Sequence, residues 1–203
     1  MLRIAAWGIA SLITLVALFH GRALAAGPSF DCSRASHEIE LLICKDPALA
    51  AKDLLLSQVF AESEAVLKGL ADGATALAEL KTIQRGWIKG RDDCWKADDK
   101  LACTTLAYDM RIAQLQARYM LVKGGDPVFY MCEDRSEIVA TFVPTELPTV
   151  RLERGDRTEI AWLQPSGSGS NYEGEFGLSF WIKGDSASVE WPQGTAFTCE
   201  VRK

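Results

Sequence analysis

The residues best suited to touch another molecule lie in one run, Pro165-Ser166-Gly167-Ser168-Gly169-Ser170-Asn171-Tyr172-Glu173-Gly174. Alternating serine and glycine combine backbone freedom, small volume and several hydroxyls. Such a run can enter a narrow cleft and hydrogen-bond inside it. It is long for a hairpin connection, and long loops in compact domains are often binding loops. A flexible surface turn has the same composition, so composition alone leaves both readings open.

Groups for catalysis are poorly supplied. Beyond residue 25 the only histidine is His37, so any Ser-His-Asp or Cys-His arrangement would depend on it. It lies near a helix start between two cysteines and reads as a surface residue. No GxSxG elbow and no phosphate-cradling glycine loop is present. The pairs Asp92-Asp93 and Asp98-Asp99 read as an exposed acidic loop. Glu173 and Glu175 flank the glycine-rich run, but no apolar pocket is evident that would raise a carboxyl pKa for acid catalysis. The chain therefore reads as a binder, neither an enzyme nor dependent on a cofactor.

Six cysteines, Cys32, Cys44, Cys94, Cys103, Cys132 and Cys199, are spread along the sequence. The first residues supply the compartment that explains them. Met1-Leu2-Arg3 is a cationic head, Ile4 to Phe19 an apolar run, and Ala23-Leu24-Ala25 a small-residue pattern that a signal peptidase reads. Residues 1–25 are thus expected to be removed near Ala25. The run is short for a bilayer span of about 20 residues. No cysteine stands at the cleavage point, so no stable membrane anchor is expected. In an oxidising periplasm an even cysteine count implies disulfides. Zinc fits badly, since no pair has CxxC spacing. Local spacing favours Cys32–Cys44, Cys94–Cys103 and Cys132–Cys199 among the 15 possible connectivities.

Of 22 basic and 27 acidic residues, only Arg3 and Arg22 fall in the leader, so the mature formal charge is −7. An acidic surface argues against nucleic acid, whose phosphates demand Lys/Arg clusters. It suits approach to a basic partner.

The elements that must hold these residues change period near Lys123-Gly124-Gly125-Asp126-Pro127. Before that point the pattern is helical. Asp46-Pro47 is an acceptor followed by proline at a first helical position. Leu49, Leu56, Val59, Phe60, Leu67 and Leu70 follow on one face, until Gly69, Asp72 and Gly73 break the helix. Leu77, Leu80, Ile83, Gln84 and Trp87 form a second stripe, and Leu106, Met110, Ala113, Ala117 and Met120 a third. A short helix is read near residues 39–43. After the linker the period is two. Residues 129–132, 138–142, 150–153, 158–163, 178–182, 187–191 and 197–201 read as strands of an antiparallel barrel or sandwich. Two domains are expected: helices over 29–122, a linker at 123–127, and a β domain over 128–203.

Residues from about 128 to 203 resemble the MliC/PliC family of periplasmic and membrane-bound inhibitors of c-type lysozyme. The likeness rests on Tyr130-x-Cys132-Glu133, the run Ser166 to Tyr172, Phe180-Trp181-Ile182-Lys183-Gly184-Asp185, and Cys199. It implies an eight-strand antiparallel barrel closed by one disulfide. It also implies that Ser168, or Ser166 in its place, enters the lysozyme cleft on a loop with Gly167 and Gly169, accompanied by Lys183. Tyr172 would support that loop or touch the partner. Without the resemblance, Lys183 would read as a solvated strand-end lysine. Ile182 replaces the family's usual threonine, and Ser170-Asn171 stand where a basic residue commonly precedes the tyrosine. These departures bear on affinity and choice of lysozyme more than on fold.

The helical half resembles the LprI N-terminal-like family. The match is carried by Asp31-Cys32, Ala35, Glu40, Ile43-Cys44, Asp46-Pro47, Leu49 and Asp53. It continues through Gln84, Trp87, Arg91, Cys94, Cys103, Arg111, Ile112 and Leu115. Trp87 and Arg91, one turn apart, are a candidate binding patch or a packing pair. Peptidoglycan, a second lysozyme surface or another envelope protein are the partners this half would take. The expectation is an α+β protein with a disulfide-bonded helical bundle and an eight-strand barrel, acting on c-type lysozyme. The alternative is a non-inhibitory envelope module that binds glycan through exposed aromatics such as Trp162 or Trp191.

Overall fold

The computed structural model describes residues 27–202; the expected leader and its cleavage point lie outside the described residues. Four helices are followed by eight strands. The helices are α1 (Glu38–Lys45), α2 (Pro47–Lys68), α3 (Gly73–Asp92) and α4 (Lys100–Arg118). Asp46 caps α2, its carboxylate accepting from the amides of Ala48 and Leu49 at 2.8 and 2.9 Å, with Pro47 in the first turn where no amide hydrogen is missed. His37 caps α1: Nδ1 accepts from Ile39 N at 3.3 Å, while the Glu40 carboxylate accepts from the Ser36 and His37 amides. His37 is thus half-buried and committed to helix structure. Disulfide Cys32–Cys44 ties the segment before α1 to that helix, and Cys94–Cys103 ties the α3–α4 connection to the first turn of α4.

Leu49, Leu56, Val59 and Leu67 of α2 pack with Leu80, Tyr108, Ile112 and Leu115 into the bundle core. Two residues placed on the buried stripes by periodicity lie elsewhere. Leu70 follows the end of α2 and is 56% exposed, and Leu106 is 52% exposed. Helix α4 has two buried faces. Tyr108, Ile112 and Leu115 face the bundle, whereas Ala117 packs with Val143 and Ile160 of the β half. The Met110–Ala117 stripe legible in the sequence is the side of α4 that meets the sheet.

The strands are β1 (Val128–Cys132), β2 (Glu137–Val143), β3 (Thr149–Arg154), β4 (Arg157–Gln164), β5 (Ser170–Gly174), β6 (Ser179–Lys183), β7 (Ser186–Glu190) and β8 (Ala196–Val201). Each pairs antiparallel with the next, and β8 returns to β1, closing a barrel without an open edge. Cys132 and Cys199 are opposite one another in the closing pair and form a disulfide. Alternate side chains, among them Tyr130, Ile138, Val150, Leu152, Phe180 and Val189, fill the interior.

Helix α4 lies against β3 and β4. Trp162 Nε1 donates to the Met110 carbonyl at 3.2 Å, and Arg118 donates to the Thr158 carbonyl at 2.9 Å. The glycine-rich connection joins this contact, with Gly125 N donating to Phe142 O at 2.9 Å.

Candidate functional site

Strand β5 changes the shape of the serine-glycine segment. The run 165–174 reads as one long connection, but its second half is strand, leaving only Pro165 to Gly169 between Gln164 and Ser170. Serine, asparagine and glycine have weak intrinsic strand preference. Pairing with both β4 and β6 imposes the strand state here. The candidate loop is therefore a short, anchored hairpin turn.

The antiparallel order puts that turn and the β6–β7 turn at one end of the barrel. Ser170 is opposite Ile182, and Lys183 is opposite Ser186 just beyond it. Gly169 sits in the left-handed region (φ +69°), and a Cβ on it would collide with the Ile182 carbonyl oxygen. Only glycine allows the turn to lie so close to β6.

Two side chains tie the turn down. Ser166 Oγ lies 3.0 Å from both the Ser168 and Gly169 carbonyl oxygens, folding the turn on itself. Trp181 Nε1 donates to the Ser168 carbonyl at 3.0 Å from the neighbouring strand. The Lys183 ammonium stands 3.8 Å from the centroid of the same indole ring. The Ser168 and Lys183 side chains are both exposed, as is Gly167. Tyr172 is buried in the barrel, its ring 5.7 Å from that of Phe142, and burial raises its phenol pKa. Its side chain belongs to the barrel core, two positions beyond the first residue of β5.

This end of the barrel thus presents a hydroxyl and an ammonium on a constrained backbone. Ser166, Gly167, Ser168, Gly169 and Lys183 are brought together at this end, whereas Tyr172 is part of the barrel core. Trp181, whose bonds join the turn to Lys183, has no role readable from the sequence. Its partner Ser168 is 13 positions away, and only the β5–β6 register brings the two together. Glu175 lies in the β5–β6 connection at the opposite end, where it accepts from Gln114 Nε2 at 3.3 Å.

The two tryptophans named for a glycan-binding reading are not available at the surface. Trp162 and Trp191 are 3% and 5% exposed, the first beneath α4 and the second in the barrel core. Both were expected to be exposed. A strand's alternation does not reveal that a helix covers its outer face. Trp87 and Arg91 are likewise engaged. Trp87 meets Tyr108 edge-on at 5.3 Å, and the buried Arg91 donates to Tyr108 Oη at 2.9 Å and to Asp92. Tyr108 in turn donates to Asp53, whose other oxygen accepts from Ser29. This continuous polar network holds α2, α3 and α4 together.

Residues 130–197 match the model of the MliC family, described as membrane-bound lysozyme-inhibitor of c-type lysozyme. The chain is also 26% identical over 179 residues to the lipoprotein LprI of Mycobacterium bovis (strain ATCC BAA-935 / AF2122/97), an alignment that covers 87% of this chain and 85% of the relative. The LprI lipoproteins of two Mycobacterium tuberculosis strains, CDC 1551 / Oshkosh and ATCC 25618 / H37Rv, match to the same extent. The family match supports a lysozyme-inhibitor role in general. Among the described residues, no helix is long and apolar enough to cross a membrane.

Proposed function

From an LprI-like chain that carries an MliC domain, we propose a periplasmic inhibitor of c-type lysozyme that blocks the active-site cleft with Ser168 and Lys183. Lysozyme works with two carboxyl groups, one a protonated acid in an apolar pocket and the other ionised. In this reading the Ser168 hydroxyl hydrogen-bonds one and the Lys183 ammonium pairs with the other, so both are occupied without reaction. The neighbouring glycines let the backbone enter the cleft, Ser166 braces the turn, and Tyr172 supports it from the barrel interior. A charge pair desolvated inside a cleft contributes more than one at an exposed rim. The acidic surface favours encounter with a basic partner.

The observation that carries this reading is the exposed Ser168 turn beside Lys183 at one barrel end, within a domain matching an inhibitor family. Export belongs to the same proposal, with cleavage near Ala25. All six cysteines are paired in disulfides, which fits an oxidising compartment. The helical half, residues 29–122, acts through α4 as a buttress for the barrel of residues 128–203. Protection of peptidoglycan from host lysozyme would be the consequence for the cell. The test is lysis of a cell-wall suspension by hen-type lysozyme. Dose-dependent protection is expected from the wild type and not from the Ser168→Ala/Lys183→Ala double variant.

A further inference from the structure

We propose that Trp181 is a positioning residue of this inhibitory site, holding the Ser168 turn with its indole N–H and the Lys183 ammonium with its ring face. The proposal rests on the inhibitory reading above and deepens it. Alternation along β6 sends Phe180 into the barrel, where it is fully buried, and turns Trp181 outward with 37% of its surface exposed. An outward indole contributes little to the core. Its two distinctive groups are nevertheless both engaged, and both with the candidate site. The N–H reaches the Ser168 carbonyl, in the turn that leads into β5, at 3.0 Å, and Lys183, two residues on and so on the same strand face, lies 3.8 Å from the ring centroid. That is well inside the roughly 6 Å range in which an aromatic face attracts a cation.

The physical consequence is preorganisation. A serine-glycine turn left free would lose backbone entropy on entering a cleft, and a free lysine would lose rotamer entropy. One rigid side chain limits both losses in the unbound protein. It also fixes the distance between hydroxyl and ammonium, which must match two carboxyl groups at once. The tether is to a backbone carbonyl, so it holds the turn without using the Ser168 hydroxyl.

The experiment measures the inhibition constant against hen-type lysozyme for Trp181→Phe and Trp181→Ala, each with native Lys183 and with Lys183→Ala. Amide hydrogen exchange at residues 166–169 is followed in the unbound proteins. Phenylalanine keeps a ring face but removes the donor, so inhibition should weaken by about 5-fold and exchange in the turn should quicken. Alanine removes both, for about 20-fold. With Lys183→Ala the alanine penalty should shrink to about the 5-fold of the tether alone, because interacting residues are non-additive. Melting temperatures should stay close to wild type, which separates positioning from folding. Wild-type inhibition with no effect of Trp181→Phe on inhibition or exchange overturns the tether. An alanine penalty equal in both Lys183 backgrounds overturns the hold on the ammonium. A wild-type protein that protects against no c-type lysozyme overturns the underlying reading, and this proposal with it.

Discussion

The indole N–H of Trp162 donates to the Met110 carbonyl oxygen at 3.2 Å, joining strand β4 to helix α4 across 52 positions of sequence. The bond sits beside the apolar contact of Ala117 with Val143 and Ile160. The outer surface of β4 is therefore built against the helix. Trp162→Ala should destabilise the protein by about 3 to 5 kcal/mol, as for other buried large-to-small changes. Trp162→Phe should cost about 1 kcal/mol for the lost hydrogen bond. Urea denaturation measures both. Losses within about 0.5 kcal/mol, the range of ordinary surface positions, would mean that α4 does not seal this face.

A fragment beginning at residue 128 tests the same contact at larger scale. Without α4 it exposes Trp162, Val143 and Ile160, which are 3%, 2% and 3% accessible in the whole chain. It should retain inhibition, because the Ser168 turn lies within the barrel's own hairpins, but melt at a lower temperature than the barrel of the intact chain. Equal melting would leave the buttress without a function.

Much of this arrangement is legible in the sequence. The period-two segments marked every strand except β5, and Asp46-Pro47 and Gly73 marked helix ends. What was missed has physical causes. Ser170-Asn171-Tyr172-Glu173-Gly174 lacks the β-branched residues that signal a strand, and its state comes from two neighbours. The α4 stripe was visible, but periodicity cannot say whether a buried face meets another helix or a sheet. For the same reason the alternation of β4 does not show that Trp162 is covered. The candidate residues Ser168 and Lys183 were recognised through resemblance, whereas Trp181 needed the register to bring it to the Ser168 carbonyl.

The Asp53–Tyr108–Arg91 network gives a pH-dependent prediction. Burial raises the Tyr108 phenol above its ordinary value of 10.0. Above that pH the unfolded chain loses the proton while the folded one keeps it. The native state then binds more protons, and stability falls as pH rises past 10. Tyr108→Phe should reduce stability at neutral pH by about 1 to 3 kcal/mol, since Asp53 and Arg91 each lose a buried partner. It should also flatten the alkaline slope. Melting curves of the two proteins between pH 8 and about 11 give the comparison as a difference, so other alkaline groups cancel. Parallel curves would show that the phenol is not linked to folding.

At the acid end, the Ser36 and His37 amides hold the Glu40 carboxyl below its ordinary value of 4.5. A depressed carboxyl contributes stability that is present above the unfolded value and is lost as pH falls through the folded one. Glu40→Gln should lower the melting temperature at pH 7 and narrow the gap to wild type below about pH 4. A gap that stays constant with pH would show that the charge of the cap contributes nothing.

Replacing Cys132 and Cys199 by serine should cost about 4 kcal/mol, because the bond closes a 67-residue separation across the β1–β8 seam. The melting temperature should drop, and inhibition below that temperature should remain, since the Ser168 turn lies in different hairpins. Lost inhibition in a folded variant would place the seam in the functional surface.

The central claim is tested most directly by the lysis of cell walls with hen-type lysozyme, with the purified mature protein added at increasing dose. Protection by the wild type, its loss in Ser168→Ala/Lys183→Ala, and melting temperatures that agree closely are the expected results. Undiminished protection by the double variant, or none from the wild type against any c-type enzyme, would contradict the account.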